Sequence, residues 1–227
     1  ISQLVKNYRV SAVLCTATQP SVGSIFKKFL PNHSLIELCP SSTYDPKAFH
    51  RVSYRMMGKT SLREAAKQVR NKDQVLCIVN RRDTAEKICD LLPEEGAFCL
   101  TTLMYPEHRR RAIAEIKRRL KENLPCRVIS TSLIEAGVDL DFPAVFRELA
   151  GIDSIIQAAG RCNREGKRDW SGSVVSIFRL EETEFSQPTV AVSAAIATLR
   201  KYDNLNDNAA IDYYFHELLD MQNLDSK

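Results

Sequence analysis

No run of this 227-residue chain approaches the ~20 consecutive apolar residues that a membrane helix needs, so no membrane association is expected. The opening "ISQLVKNYRV" lacks the charged and apolar blocks of a secretory leader. No two of the seven cysteines are spaced C-x-x-C, which removes the basis for a zinc knuckle or a disulfide framework. Their odd number fits a reducing compartment, with buried thiols acting as small hydrophobes, and a cytoplasmic location is expected. Histidine is scarce: four residues, at 33, 50, 108 and 216, stand singly without metal-ligand spacing, so no metal site is expected. Aromatics are not clustered and Trp170 is alone, which gives no obvious platform for stacked bases. A phosphate cradle is also missing. "GKT" occurs at Gly58 to Thr60, but G-x-x-x-x-G-K-[ST] needs a glycine at 53, where Ser53 stands. The string reads as a turn, and the chain has no nucleotide cradle of its own.

What is present is ordinary for a globular protein: 44% hydrophobic and 26% charged residues, with a net charge of +4. That mild excess is compatible with a nucleic-acid partner without requiring one. Apolar runs of strand length, "SAVLCTAT" (11–18), "QVLCIVN" (74–80), "CRVISTS" (126–132), "AVFREL" (144–149) and "SVVSIF" (173–178), suit the interior of a parallel sheet. Amphipathic stretches separate them. "RDTAEKICDLL" carries Asp83 and Glu86 in capping-box spacing, and "PEHRRRAIAEIKRRLKE" opens on Pro106. The alternation predicts a doubly wound α/β fold whose ligands lie beyond the carboxyl ends of the strands. Two helices are expected near 189–202 and 207–221, and 31–50 reads as a linker.

Two segments carry chemistry. In "STSLIEAGVDLDF" (130–142) a strand ends in Thr131 and Ser132, followed by Gly137, Asp139 and Asp141. Hydroxyls at a strand end can hold a backbone phosphate, and an aspartate past a glycine turn can accept from a ribose hydroxyl. A polar loop with capping aspartates fits equally well. In "SIIQAAGRCNREG" (154–166), Ser154 and Gln157 match a capping box on a helix opening at Ser154. Arg161 and Arg164 are either solvated surface charge or a pair placed to grip phosphate oxygens. The basic residues of the 106–122 helix read as a solvated face.

"TAT" (16–18), "VLCIVNRR" (75–82), "TSLIEAGVDLDF" (131–142) and "QAAGRCNR" (157–164) fall in the order of motifs III to VI of superfamily 2 helicases. The wording around "AGIDSIIQAAGRCNREG" resembles the helicase portion of the CRISPR-associated helicase-nucleases of type I interference systems. The resemblance implies a RecA-like three-layer fold with a mainly parallel sheet. It implies that Arg161 and Arg164 reach ATP as arginine fingers, with Gln157, Gly137 and Asp139 near the nucleotide. It assigns strand contact to Thr131 and Ser132, and more weakly to Asn80, Arg81, Thr101 and Thr102. Thr16 and Thr18 would couple hydrolysis to strand binding. ATP with Mg2+ would be bound mainly by a first RecA-like domain outside this chain.

The organisation expected is a remnant of that first domain at 1–40, the second RecA-like domain at 41–180 and a helical extension at 181–227. The implied activity is that of an ATP-dependent helicase or translocase on single-stranded DNA. Expected partners are the first RecA-like domain, a histidine-aspartate nuclease domain and a CRISPR RNA-guided surveillance complex. A duplex-DNA translocase and a non-catalytic docking module are the alternatives.

Overall fold

The computed structural model describes residues 2–8, 10–15, 30–32, 34, 36–38, 40, 43, 50–135, 139–181 and 189–224. Helix α1 (Ser2–Tyr8) comes first, and the sheet begins with strand β1 (Ser53–Thr60). It continues through α2 (Leu62–Arg70), β2 (Gln74–Ile78), α3 (Arg82–Cys89), β3 (Ala97–Leu100), α4 (Pro106–Lys121) and β4 (Cys126–Ser130). A 3-10 turn (Ser132–Glu135) leads to β5 (Ala144–Glu148), α5 (Ile152–Ala159) and β6 (Val174–Leu180). Helices α6 (Val190–Lys201) and α7 (Asn208–Leu224) follow.

All six strands are parallel, in the order β1-β6-β5-β2-β4-β3. Period-two alternation sends one set of side chains to each face. Leu76, Ile78, Val128, Val145 and Val175 pack with Ile116 of α4 and Ala158 and Ala159 of α5. Val75, Cys77, Ile129, Phe146 and Phe178 pack with Ala65, Ala66 and Val69 of α2 and Ala85 and Ile88 of α3. The sheet is therefore buried on both faces, as its apolar runs require. Helices α6 and α7 cover the α5 side, where Tyr214 joins Ile152, Ile155 and Ile177. Burial pushes the thiols of Cys77, Cys126 and Cys162 up to about 12, so they act as packing groups.

Four expectations need correction. Residues 11–15 form no strand and are exposed, with Val13 and Leu14 in solvent; Thr16 and Thr18 lie outside the described residues. Gly58 to Thr60 is not a turn but the end of β1. The register against β6 shifts between Met56 and Gly58, where the chain takes a φ of +76 that glycine adopts without strain. Asp83 does not cap α3: the helix starts one residue earlier, behind an extended Arg81, and the Asp83 carboxylate pairs with that arginine. Ser154 does not open α5 either. The helix starts at Ile152 behind Gly151, and the Ser154 hydroxyl accepts from the Arg147 guanidinium at 2.9 Å. The other strands and helices read from the sequence fall where the periodicity places them, with shifts of one to three residues at their ends, whereas α1, α2 and β3 were not read.

Candidate functional site

The segments marked by sequence separate to opposite ends of the sheet. Strand register aligns Ile78 of β2, Ser130 of β4 and Leu100 of β3 in one row. Asn80 and Arg81, Thr131 and Ser132, and Thr101 and Thr102 therefore leave the carboxyl edge side by side. At ~4.8 Å per strand the row is about 10 Å wide. Ser132, Asn80, Arg81 and Thr102 are exposed, Thr131 is half-buried and Thr101 is buried. The Ser130 hydroxyl donates to the Leu100 carbonyl at 2.9 Å, which stitches two of the three loops together.

Asn80 is anchored by a network that sequence reading missed. Its backbone N–H donates to the Glu148 carboxylate at 2.7 Å, and its side-chain amide donates to the Leu149 carbonyl at 2.9 Å. Its side-chain oxygen accepts from Arg147 at 2.8 Å. Arg147 also donates to Ser154 on α5, so one buried guanidinium ties the β2–α3 loop to the helix that carries the arginine motif. Burial raises the Glu148 carboxyl above the ordinary carboxylate range, against the lowering pull of Asn80 and Arg147. The visible signal was two adjacent charges, Arg147 and Glu148, inside an apolar strand run.

The arginine loop lies at the other end, beside the amino termini of β1 and β5, and not beyond the carboxyl ends of the strands. Phe142, two residues before β5, bridges to Cys162. Its N–H donates to the Arg161 carbonyl at 2.9 Å, and its carbonyl accepts from the Asn163 N–H at 3.0 Å. Asn163 is fully buried with a φ of +47, a conformation asparagine tolerates better than most residues. Its side chain donates to the carbonyls of Arg51 (2.9 Å) and Arg168 (2.7 Å) and accepts from the Arg168 N–H (3.0 Å). Sequence reading passed over Asn163 because its Arg51 partner lies 112 residues away and its bonds to Arg168 close an irregular loop with no sequence signature.

Motifs V and VI meet on this loop. Asp141 accepts from the Arg164 N–H and from the Arg168 guanidinium, each at 2.7 Å. Asp139 pairs with the Arg164 guanidinium, and the Arg51 guanidinium holds the Arg164 carbonyl. The two candidate fingers differ sharply in exposure. Arg161 is 8% exposed, whereas the Arg164 side chain is 43% exposed and its partner Asp139 77%. Gln157 is half-buried on α5, one turn before Arg161. Gly137 lies outside the described residues. Among the described residues no group of three or more histidine, cysteine, aspartate or glutamate side chains could hold a metal ion. Among them, too, no helix is long and apolar enough to cross a membrane.

The family described as CRISPR-associated nuclease/helicase Cas3, C-terminal, matches residues 71–167. A curated relative from Haloferax volcanii, named CRISPR-associated nuclease/helicase Cas3, is 35% identical over 130 residues. That match takes in 55% of this chain and 14% of the relative, so the chain spans about a seventh of the relative's length. A crystal structure of T. fusca Cas3-ATP shares the fold with a TM-score of 0.59 at 15% identity, over 78% of this chain and 25% of that one. A chain of a structure described as a CRISPR RNA-guided surveillance complex, pre-nicking, shares it with a TM-score of 0.57 at 17% identity, over 78% and 27%. Segment and fold agree: residues 71–167 match a Cas3-like C-terminal domain, and the parallel sheet they help to build has a RecA-like fold.

Proposed function

We propose that this chain is the C-terminal motor lobe of an ATP-dependent single-stranded DNA helicase or translocase of CRISPR interference, working in the cytoplasm. The observation that carries the reading is the Arg164 guanidinium. It stands half-exposed on a loop braced by Asp141, Asn163 and Arg51, at the end of the sheet opposite the hydroxyl row. The Asp139–Arg164 pair faces solvent, where such pairs contribute about 1 kcal/mol or less. A triphosphate can therefore take the place of the carboxylate and gain a bidentate guanidinium contact.

ATP would sit mainly on the first RecA-like domain, with Arg164 reaching its γ-phosphate and Asp139 and Gly137 near its ribose. Gln157 would order the phosphate side. Arg161, which is buried, would be the second finger and complete the positive field. Magnesium would be held mainly by the other lobe. Thr131, Ser132, Asn80, Arg81 and Thr102 would hold the backbone of one DNA strand across the carboxyl edge. Cleft closure would bring Arg164 onto the charge that develops at the γ-phosphate, and opening would shift the strand grip. Thr16 and Thr18 would couple these steps, and residues 1–40 would belong with the first domain. The nuclease/helicase name of the relative and the surveillance-complex description of the structural neighbour support a nuclease domain and such a complex as partners.

Arg164→Ala in the intact protein is expected to cut DNA-stimulated ATP turnover by about 10³, and the 227-residue chain alone is expected to hydrolyse ATP at background rate. Undiminished turnover in Arg164→Ala, measured as phosphate release with single-stranded DNA present, overturns the reading.

A further inference from the structure

Trp170, the chain's single tryptophan, is not alone in space. Its indole stacks on the His50 imidazole with ring centroids 4.3 Å apart and planes 27° from parallel. The pair joins two segments that Asn163 already holds together. His50 precedes Arg51, and Trp170 follows Arg168 by two residues; the Asn163 amide donates to both of those carbonyls. The Trp170 loop is fixed from within. Asp169 accepts from the Ser171 N–H and hydroxyl at 3.1 Å each, and its carbonyl accepts from the Ser173 hydroxyl at 2.9 Å. The Ser173 N–H donates to the Trp170 carbonyl at 3.2 Å, and the Ser173 carbonyl accepts from Ser53 at the start of β1 at 2.9 Å. A large aromatic held this firmly is nevertheless 46% exposed. It sits beside the Arg164 loop, at the amino end of the sheet, some 15–20 Å from the hydroxyl row by the length of a five-residue strand.

We propose that the His50–Trp170 pair is a stacking platform for the nucleobase of the bound nucleoside triphosphate; this rests on the nucleotide reading of Arg164 and Asp139. The triphosphate needs three kinds of contact: cations for phosphate, an acceptor for ribose hydroxyls and a flat apolar face for the base. Arg164, Asp139 and the indole supply one of each from the same braced loop region. A purine laid on the open face of Trp170 extends a stack whose other side His50 already fills, so little side-chain entropy is lost on binding. A base of the DNA strand is the other flat ligand in reach of a motor domain, but the hydroxyl row places the strand at the opposite edge.

The test is a steady-state comparison of variants of the intact protein with single-stranded DNA in excess. Stacking on one aromatic sets the scale, so Trp170→Ala is expected to raise the KM for ATP about 5- to 100-fold. The kcat should stay within about twofold, and Trp170→Phe should restore KM to within about threefold of the parent. Inhibition by inorganic tripolyphosphate, which has no base, should be the same in Trp170→Ala and the parent. An unchanged KM in Trp170→Ala, or a Phe variant as impaired as the Ala variant, overturns the platform. A weakened DNA affinity with unchanged KM also overturns it and gives the ring to the strand. The two readings fail separately. If Arg164→Ala lowers kcat while Trp170→Ala leaves KM alone, only the platform falls; if Arg164→Ala is fully active, both fall.

Discussion

Arg147 shows what one buried charge asks of its surroundings. It sits in the centre of the parallel sheet, 3% exposed, and its guanidinium donates to Asn80 on one side and Ser154 on the other. A third bond goes to the Glu148 backbone carbonyl at 2.7 Å. Methionine has similar length and no donors. Arg147→Met should therefore destabilise the fold by about 3–5 kcal/mol, because it leaves buried acceptors and the neighbouring Glu148 carboxylate uncompensated. Adding Glu148→Gln removes that carboxylate while its side-chain carbonyl still accepts from the Asn80 N–H. The double variant is expected to recover about 1–2 kcal/mol of the loss. Urea denaturation of the parent, the two single variants and the double variant measures this coupling directly; strictly additive losses would contradict it. The same residue explains a misreading. Ser154 has capping-box spacing, but its hydroxyl serves a guanidinium seven positions back in the chain on a neighbouring strand, and local sequence grammar cannot register such a partner.

At the level of single elements, α4 is the clearest case of surface charge organised by helical spacing. Glu115 takes Arg118 and Arg119 as partners one turn on, at 2.8 Å each, and Arg118 also reaches Glu122. Hydrogen bonds from those two guanidiniums hold the Glu115 carboxyl down at about 2, well below its ordinary 4.5. A depressed folded-state value makes its stabilisation present above about pH 4.5 and lost as pH falls towards 2. Thermal melts across that window are expected to show Glu115→Gln melting below the parent at pH 6, with the gap narrowing as pH approaches 3. A gap independent of pH would refute the assignment. This helix was legible because its whole logic is local: Pro106 at the start, an apolar stripe, and i,i+3 and i,i+4 pairs. The four strands of the inner sheet that were read from sequence were legible for a related reason, since burial on both faces writes a continuous apolar run. Strand β1 was not. It is an edge strand with mixed exposure, and its bulge glycine followed by Lys59 and Thr60 imitates a turn. Its pairing with β6 depends on a segment more than a hundred residues away. In the candidate site, Arg164 and Asp139 stood out by spacing. The bracing by Asp141, Asn163, Arg51 and Arg168 did not, since, apart from the local Asn163–Arg168 bonds, it joins segments that only the fold brings together.

Across the whole molecule, the sheet keeps an anion-ready loop at one end and a hydroxyl-bearing row at the other, and motif V runs between them. Thr131 and Ser132 leave the carboxyl end of β4, while Asp139 and Asp141 arrive at the amino end of β5. The two ends should therefore respond separately to substitution, and the chemistry of each predicts how. Hydroxyls that contact a phosphate are neutral and release no counterions, whereas a cation that contacts a phosphate releases about one. Thr131→Ala combined with Ser132→Ala should weaken single-stranded DNA binding alike for all sequences while leaving the slope of log K against log salt unchanged. Arg81→Ala should instead flatten that slope by about 0.7, the single-strand value for one lost contact. The Arg81–Asp83 pair at 2.9 Å is exposed and weak, so the guanidinium is free to exchange its carboxylate for phosphate. Neither change should move the KM for ATP if the Arg164 loop meets the nucleotide as proposed, because that loop lies about a strand length away. Fluorescence-anisotropy titrations of the intact protein at several salt concentrations, beside ATPase kinetics, read out both quantities. Unchanged DNA affinity in the hydroxyl variant together with an unchanged slope in Arg81→Ala would overturn the assignment, because the strand would then not cross the loop row.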